Sequence, residues 1–408
     1  MNSQSTQATR PLWLILLCAG VIVGMGMGLR QVMGLYLRPV TMDLGIGREP
    51  FSDALAVSNL VFGIAAVFTG AVADRYGTGR VIAFGAICTV AGLYLMGVTQ
   101  SSEGIMLSGI LLGLGVSGTG ITALVGAVGR AAPAEKRTAA IASLGMASGI
   151  GGFLAFPYAH ILIEAFGWRA SLFVLAGTGL VMLALAMSLP GKPVAAIGII
   201  KPQSLREAFG EAFALPSFWL LVVGFFVCGF HVAFYSAHLP AYVQDQGLGA
   251  WVGVWALMAL GIANIAGTWL AGQSGRYFEK RKVLTFIYLA RTVLFVAIIY
   301  MPVTGFTVIT VTALLGLFWL STVPLTSGLV ATFFGTNWMS MLFGFVFLSH
   351  QLGSFAGLWL AGRVFDQTKS YDTMWWISAG LGLVAALLNW PIRERPVARV
   401  LAQAAAAG

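Results

Sequence analysis

Apolar runs of about twenty residues or more recur along almost the whole chain, separated by short polar connections. A helix rises about 1.5 Å per residue, so each run is long enough to cross a hydrocarbon layer of about 30 Å. Water is absent from that layer, and a helix satisfies its backbone hydrogen bonds internally. The runs therefore predict a helical protein that crosses a membrane many times.

The composition supports this interpretation. Of the 408 residues, 58% are hydrophobic and 9% are charged, whereas a soluble domain carries roughly 25% charged residues. The net charge of +9 could indicate a nucleic-acid partner. However, the basic residues lie in short loops between apolar runs and form no patch with interleaved aromatic residues, so we expect no nucleic-acid binding.

Twelve spans account for the apolar runs. We place them at residues 12–37, 51–73, 81–99, 104–128, 138–166, 170–189, 218–243, 252–272, 283–301, 306–334, 339–364 and 374–390. The longest polar interruption separates spans six and seven and contains an amphipathic segment at Leu205–Phe213, which predicts an interfacial helix. The fold class is therefore all-α, with two pseudo-symmetric six-helix bundles.

The predicted units are a tail at 1–11, a bundle at 12–189, a linker at 190–216, a bundle at 217–392 and a tail at 393–408.

The loops also predict the orientation of the chain. Lysine and arginine are enriched in cytoplasmic loops of membrane proteins. If the N-terminus is cytoplasmic, fifteen basic residues fall on that side and five on the other. The fifteen are Arg75, Arg80, Arg130, Lys136, Arg137, Lys192, Lys201, Arg206, Arg276, Lys280, Arg281, Lys282, Arg393, Arg395 and Arg399. We therefore expect a multi-pass protein of the inner (cytoplasmic) membrane, with both termini in the cytoplasm.

The stretch Gly-Ala-Val-Ala-Asp-Arg-Tyr-Gly-Thr-Gly-Arg at residues 70–80 suits a very short turn between two spans. Its glycines let the backbone bend, and its bases favour the cytoplasmic side. The stretch resembles the loop signature of the major facilitator superfamily, although Thr78 and Gly79 replace the usual second basic residue. The resemblance implies a conformational lock in which Asp74 contacts Arg130 and the start of span eleven. The residues assigned to this gating motif are Gly70, Asp74, Arg75, Gly77, Arg80 and Arg130.

Two arginines lie inside predicted spans, Arg30 in span one and Arg291 in span nine. A charged side chain at membrane depth is costly and therefore a functional candidate. The planar guanidinium suits a carboxylate ligand, and no acid in the spans is an obvious partner. The alternative is that each arginine pairs with a neighbour or a carbonyl, or extends toward a surface.

Histidines in the spans are candidates for proton coupling, because imidazole gains and loses a proton near neutral pH. His231, Tyr235 and His238 share one face of span seven, and His350 lies near the middle of span eleven beside Gln351. We assign coupling to His350 and His231. Each histidine could instead form a hydrogen bond between helices, which is the interpretation we favour for His238.

Further polar or aromatic residues at membrane depth could line a cavity. They are Asn59, Asn264, Tyr158, Trp319 and Gln351, which join Arg30, Arg291 and Tyr235 as predicted substrate-binding residues. The three cysteines, Cys18, Cys88 and Cys228, are interpreted as packing residues. We expect no metal, no cofactor and no enzymatic activity, because the sequence shows no metal-ligand set and no nucleophile–base pair.

Three segments resemble bacterial relatives of the monocarboxylate transporters. They begin at Arg30 (RQVMGLYL), Phe318 (FWLSTVPLT) and Phe347 (FLSHQLGS). This resemblance implies proton-linked movement of small organic acids with an arginine as carboxylate anchor. Better-known members place that arginine on span eight, where this chain reads GIANIAGT from Gly261 without a charge. The anchor is then expected at Arg30 or Arg291.

These observations predict a secondary transporter of a small, monocarboxylate-like organic anion that works by alternating access and is coupled to protons. The expected partners are the anion, protons and the lipid bilayer, with the chain as a monomer. The alternative is a proton-driven exporter of amphipathic compounds or drugs. Such exporters typically use an acid within the membrane for coupling, and the lack of a convincing one favours the anion hypothesis.

Overall fold

The computed structural model describes residues 11–133, 137–189, 204–275, 277–335 and 339–401, which form helices and no strand. The helices are α1 (Leu12–Gln31), α2 (Met33–Leu44), α3 (Arg48–Tyr76), α4 (Thr78–Val98), α5 (Ser102–Thr119), α6 (Ile121–Ala131), α7 (Arg137–Gly179), α8 (Val181–Ala186), α9 (Leu205–Phe213), α10 (Pro216–Asp245), α11 (Ala250–Ser274), α12 (Lys280–Tyr300), α13 (Gly305–Leu317), α14 (Thr322–Phe334), α15 (Met339–Thr368) and α16 (Asp372–Asn389).

Ten helical ranges of this described chain are long and apolar enough to cross a membrane. One of them, Ser143–Ala186, contains two of the predicted spans, because Gly167 adopts a non-helical φ of 77°. The Tyr158 hydroxyl lies 2.8 Å from that of Thr178, a contact that a straight helix of this length does not allow. The chain therefore reverses at Gly167. With α16 added, each of the twelve predicted spans contains a helix.

The turn at residues 70–80 is as short as the sequence predicts. Helix α3 ends at Tyr76 and α4 begins at Thr78, so Gly77 alone connects them. Gly77 has a φ of 98°, a conformation that residues with a Cβ atom rarely adopt. A glycine at this position is therefore required by the turn itself.

Span ten differs from its predicted form, a continuous helix over 306–334. The structure interrupts it between Leu317 and Thr322, where α13 ends and α14 begins. Pro324 contributes to the interruption, because proline has no N–H to donate to the carbonyl of Leu320. Spans one and four are also interrupted, at Val32 and Gly120.

The predicted amphipathic segment forms α9 over the expected residues. Its first turn carries a capping box in which Ser204 and Glu207 each accept a hydrogen bond from the backbone N–H of the other. At its other end Phe213 packs on Phe345 of α15, at 5.2 Å between ring centroids. Residues 390–401 also contact this side of the chain, since the N–H of Val397 donates to the carbonyl of Phe333.

The spans before and after α9 form what we call the N-terminal half (residues 11–189) and the C-terminal half (residues 204–401). The halves meet along three helix pairs, α2 with α10, α3 with α15 and α7 with α11. Successive spans alternate in direction, so the start of α1 and the end of α16 share one side, the terminal face. The connections after α2, α4, α10, α12 and α15, and the turn at Gly167, lie on the opposite side, the distal face.

Candidate functional site

A series of polar side chains runs across the middle of the molecule from one half to the other. We call it the central polar chain, and its members are Arg30, Asn59, Gln351, His350, Cys228 and Arg291. They lie on five different spans, at positions where apolar runs surround them in the sequence. The tertiary structure brings together both predicted arginines, the predicted amide on span two and the predicted histidine on span eleven.

Arg30 forms the end of the chain in the N-terminal half. Its Nη2 donates to Oδ1 of Asn59, and its Cζ lies 5.4 Å from the centre of the Phe62 ring. The Asn59 amide is held in place because its Nδ2 donates to the carbonyl of Leu55 over 2.8 Å. Arg30 is half-buried, and its contacts leave most of its five N–H donors available for another ligand.

The middle of the chain connects the two halves through Gln351. Its Nε2 donates to the carbonyl of Asn59 over 3.3 Å, so its Oε1 is left to accept from Nδ1 of His350 at 3.0 Å. This arrangement places the His350 proton on Nδ1 and leaves Nε2 with a lone pair. The imidazole stacks on Phe347 at 5.6 Å with an interplanar angle of 7°. Nε2 is therefore the atom at which His350 can take up a proton.

Arg291 forms the end of the chain in the C-terminal half and is completely buried. Its Nε donates to the carbonyl of Phe318 over 3.0 Å, and its Nη2 donates to the carbonyls of Phe318 and Trp319. Nη2 also lies 3.6 Å from the Cys228 sulfur. The two carbonyls are available because span ten is interrupted after Leu317. The alternative interpretation of a buried arginine, pairing with carbonyls, therefore describes Arg291.

Asn264 acts on the same interruption from span eight. Its Oδ1 accepts a hydrogen bond of 2.9 Å from the N–H of Leu320, a donor that the interrupted helix leaves free. The Asn264 side chain thus satisfies a backbone group within the interruption from a neighbouring helix. Together, Asn264 and Arg291 satisfy backbone groups on both sides of the break.

The central polar chain contains two guanidinium groups and no carboxylate. Neither Arg30 nor Arg291 forms an ion pair with an aspartate or glutamate among the described residues. Their partners are an amide oxygen, backbone carbonyls and a thiol. Neutral acceptors reduce the cost of burying these groups but leave their positive charge uncompensated.

Three other predicted residues lie apart from this chain. Tyr235 is buried in the C-terminal half, where its hydroxyl is 2.7 Å from that of Thr312 and its ring packs edge-on against Trp319. The Nε2 of His231 lies 2.9 Å from the carbonyl of Ser378. Tyr158 instead contacts Thr178 within the N-terminal half, as described above. Tyr235 and Trp319 thus pack beside the carbonyls that hold Arg291, whereas the described contacts do not join Tyr158 to the chain.

The gating residues are described only in part. Arg75 and Arg80 are exposed on either side of Gly77. The surroundings of the side chains of Asp74 and Arg130, and those of Gly70, fall outside the described part of the molecule. The lock between Asp74, Arg130 and span eleven stays a prediction.

The sequence predicts a packing role for Cys228, whereas the structure places it in the middle of the central polar chain. Its sulfur lies 3.2 Å from the Thr322 hydroxyl and near Arg291, and it is within hydrogen-bonding reach of His350. Cys228 precedes His231 by three residues, which places both on one face of α10. That spacing is the signal by which the sequence could have identified Cys228.

Comparison with known proteins decides the family. The model of the Major Facilitator Superfamily matches residues 12–358. The chain belongs to the major facilitator superfamily. It is therefore a transporter and not an enzyme, and an integral, multi-pass membrane protein, as the twelve helical spans indicate.

Individual relatives of this superfamily transporter are similar at low identity. An uncharacterized MFS-type transporter, YcxA of Bacillus subtilis, is 24% identical over 383 residues, which cover 88% of this chain and 90% of that protein. Human monocarboxylate transporter 11 is 25% identical over 394 residues, covering 92% and 82% of the two chains. An oxalate:formate antiporter of Oxalobacter formigenes is 25% identical over 257 residues, covering 62% and 61%.

Solved structures show the same fold. A bacterial homologue of the human lysosomal transporter Spinster has a TM-score of 0.75 at 14% identity, and 93% of this chain and 97% of that chain are covered. A D-xylose-proton symporter has a TM-score of 0.75 at 15% identity, covering 94% and 98%. At these identities the likeness concerns the fold alone.

Proposed function

We propose that this superfamily member transports a small, monocarboxylate-like organic anion by alternating access, coupled to protons. The observation that supports the proposal is the pair of guanidinium groups in the central polar chain, which have no carboxylate partner in the described chain. An anionic cargo supplies the missing counter-charge. Two relatives carry compatible names, a monocarboxylate transporter and an oxalate:formate antiporter.

Arg30 is the better candidate for direct contact with the anion. It is half-buried and bound by one amide oxygen, so it can present two parallel N–H groups to a carboxylate. Arg291 is fully buried and occupied by two carbonyls and a thiol. Its role in this proposal is to hold the interrupted span ten and to add positive potential to the site.

His350 is the proposed proton-coupling residue. It lies in the same hydrogen-bonded series as Arg30, and its Nε2 carries a lone pair. Protonation there adds a positive charge when the anion is bound and offsets the charge of the cargo during transit. His231 is a weaker candidate, because it is completely buried within the C-terminal bundle and is not part of the central polar chain.

The orientation and the domain division are part of the same proposal. We place the terminal face in the cytoplasm, because the basic loop residues lie on that side. The protein is proposed to act as a monomer in the inner membrane. The two six-helix bundles, residues 12–189 and 217–392, lie on either side of the 190–216 linker and then rock about the central polar chain. The Asp74–Arg130 lock is proposed to hold the terminal face closed in the state in which the halves separate at the distal face.

Counterflow in proteoliposomes with a panel of labelled carboxylates tests the proposal. We expect Arg30→Gln to reduce carboxylate counterflow by about a hundredfold, the loss of one charge-assisted bidentate contact, and Arg30→Lys to restore part of it. His350→Gln should retain counterflow and lose proton-driven accumulation. The matched control is Arg206→Gln, which removes an exposed arginine of α9.

Two results would contradict this function. Unchanged carboxylate counterflow in Arg30→Gln would remove the arginine as anion anchor. Transport of amphipathic cations but of no carboxylate by the unmodified chain would support the exporter alternative instead.

A further inference from the structure

A second group of polar residues joins the two halves at the distal face. Arg48, at the start of α3, donates to Asp245 at the end of α10, with Nη1 at 2.6 Å from Oδ2 and Nη2 at 2.7 Å from Oδ1. Its Nη1 also donates to the Tyr371 hydroxyl over 2.8 Å. Its Cζ lies 3.7 Å from the centre of the Phe365 ring. Arg48 belongs to the N-terminal half and all these partners to the C-terminal half.

Asp366 reinforces this contact by capping a helix of the other half. Its two carboxylate oxygens accept from the backbone N–H groups of Arg48 and Glu49, at 2.9 and 2.8 Å. The first N–H groups of a helix have no partner within it, and they favour a negative charge. A Cβ at Gly47 would collide with the Asp366 carboxylate, so a larger residue there would displace the carboxylate from the cap. The cap exists only while the halves are together at the distal face.

His238 of α10 is held between the halves within this group. Its Nδ1 lies 2.8 Å from the Tyr371 hydroxyl and its Nε2 lies 3.3 Å from the hydroxyl of Ser52 on α3. The Tyr371 oxygen already accepts from Arg48, so its own proton is directed to Nδ1 of His238. Nε2 then carries the imidazole proton and donates to Ser52. Only the neutral imidazole can accept at one nitrogen and donate at the other.

We propose that Arg48, Ser52, His238, Asp245, Asp366 and Tyr371 form a gate that closes the distal face, and that His238 is a proton-binding site whose protonation opens this gate. The site differs from the proposed coupling site at His350, which belongs to the central polar chain. The gate does not depend on the identity of the transported solute.

The effect of protonation follows from the groups that face His238. The facing groups are Arg48 and Ser52 on α3 and Tyr371 just before α16. The carboxylates of Asp245 and Asp366 are directed to Arg48 and to the α3 N-terminus rather than to the imidazole. An imidazolium would therefore lose its bond from Tyr371 and lie near the Arg48 cation. Separation of the halves removes Arg48 and lets water solvate the imidazolium, so acid favours the open gate.

Distance measurements between two spin labels test the proposal in the full chain reconstituted in nanodiscs without substrate. One label replaces Met42 in the N-terminal half and the other replaces Phe306 in the C-terminal half, both exposed residues near the distal face. The three native cysteines are buried, and the chain without added cysteines gives the labelling background. We expect the ratio of long to short distances to rise about tenfold between about pH 7.5 and about pH 5.5, on either side of the usual histidine titration.

Four variants make the experiment decisive. Arg48→Gln should give long distances between the labels at both pH values. Short distances at both pH values would refute the gate. His238→Gln, which keeps hydrogen-bonding groups without titrating, should remove the pH response.

Tyr371→Phe should weaken that response, because His238 can then hold a proton in the closed state without losing the tyrosine bond. His160→Gln should keep it, although His160 also contacts the opposite half, through Trp251 at 4.4 Å between rings.

The outcomes separate the two histidines. A pH response that persists in His238→Gln overturns the proposal, as does an unmodified chain whose distances do not change with pH. An undiminished response in Tyr371→Phe would show that the tyrosine bond has no part in it. Loss of the response in His160→Gln alone would assign proton binding to His160. Because substrate is absent, none of these results depends on whether the anion proposal holds.

Discussion

Arginines at the distal face and arginines in the middle of the molecule have different partners. Arg48 and Arg363 at the distal face each pair with a carboxylate, Asp245 and Glu49, at 2.6 and 2.7 Å. Arg30 and Arg291 in the central polar chain contact an amide, carbonyls and a thiol, without a carboxylate among the described residues. A paired arginine holds two helices together, whereas an uncompensated one attracts an anion. The partners, and not the residue type, indicate what each arginine does.

The first way to test this comparison is to remove a paired arginine. Arg48→Ala leaves Asp245 with only the more distant Arg38, whose Nε lies 3.6 Å from Oδ1, and leaves the Tyr371 hydroxyl without a donor. We expect it to destabilise the protein by about 3 kcal/mol. This value is at the low end for a buried pair, because the Asp245 side chain is 25% exposed. Denaturant unfolding in detergent, followed by tryptophan fluorescence, measures the change.

Arg169→Ala is the matched control for that change. Arg169 pairs with Asp43 at 3.1 Å, but both side chains are at least one-third exposed, so the loss should be about 1 kcal/mol or less. Equal destabilisation by Arg48→Ala and Arg169→Ala would show that the buried distal contacts add nothing to the stability of the closed state.

The second test converts an uncompensated arginine into a paired one. Asn59→Asp puts a carboxylate where Arg30 now contacts an amide oxygen. We expect carboxylate counterflow to fall by about thirtyfold, equivalent to about 2 kcal/mol, because the anion must compete with a resident charge. Asn59→Leu removes the same amide without adding a charge and should reduce counterflow by less. If both variants transported equally well, the positive charge of Arg30 would have no part in anion binding.

The smallest expected effect concerns the interrupted span beside Arg291. Asn264→Leu removes the acceptor of the Leu320 N–H, and we expect a loss of about 1 kcal/mol in the free energy of unfolding. Thr268→Val is the control, since it removes only the 3.3 Å hydrogen bond to the Asn264 side chain. A larger loss in Thr268→Val than in Asn264→Leu would show that the bond from Asn264 to Leu320 does not stabilise the interrupted span.

Much of the architecture was predictable because it depends on local properties. The length of the apolar runs predicted the spans, and the amphipathic pattern at Leu205–Phe213 predicted α9 with its bounds. The glycines of residues 70–80 predicted a very short turn, and the structure shows that Gly77 alone forms it. Pro324 alone did not predict the interruption of span ten, because the interruption also depends on Asn264 and Arg291. These residues come from other helices and satisfy the exposed backbone groups.

The candidate site was predicted in part for the same reason. Buried charge is visible in a sequence, so Arg30, Arg291 and His350 were identified as unusual residues at membrane depth. Their partners were not visible, and the position of Cys228 beside Arg291 emerged only from the packing of α10 against α12 and α14. The contacts of Arg48 with Asp245 and Asp366 join residues that are about two hundred and three hundred positions apart.

The sequence by itself determined that this chain is a helical membrane transporter. The length of an apolar run and the position of a charge within it are local properties, and the bilayer sets the first and makes the second costly. Only the tertiary structure decided which arginine receives a carboxylate and which receives neutral oxygens. Pairing depends on distances between helices that are remote in sequence, and those distances are set by how the two halves pack together.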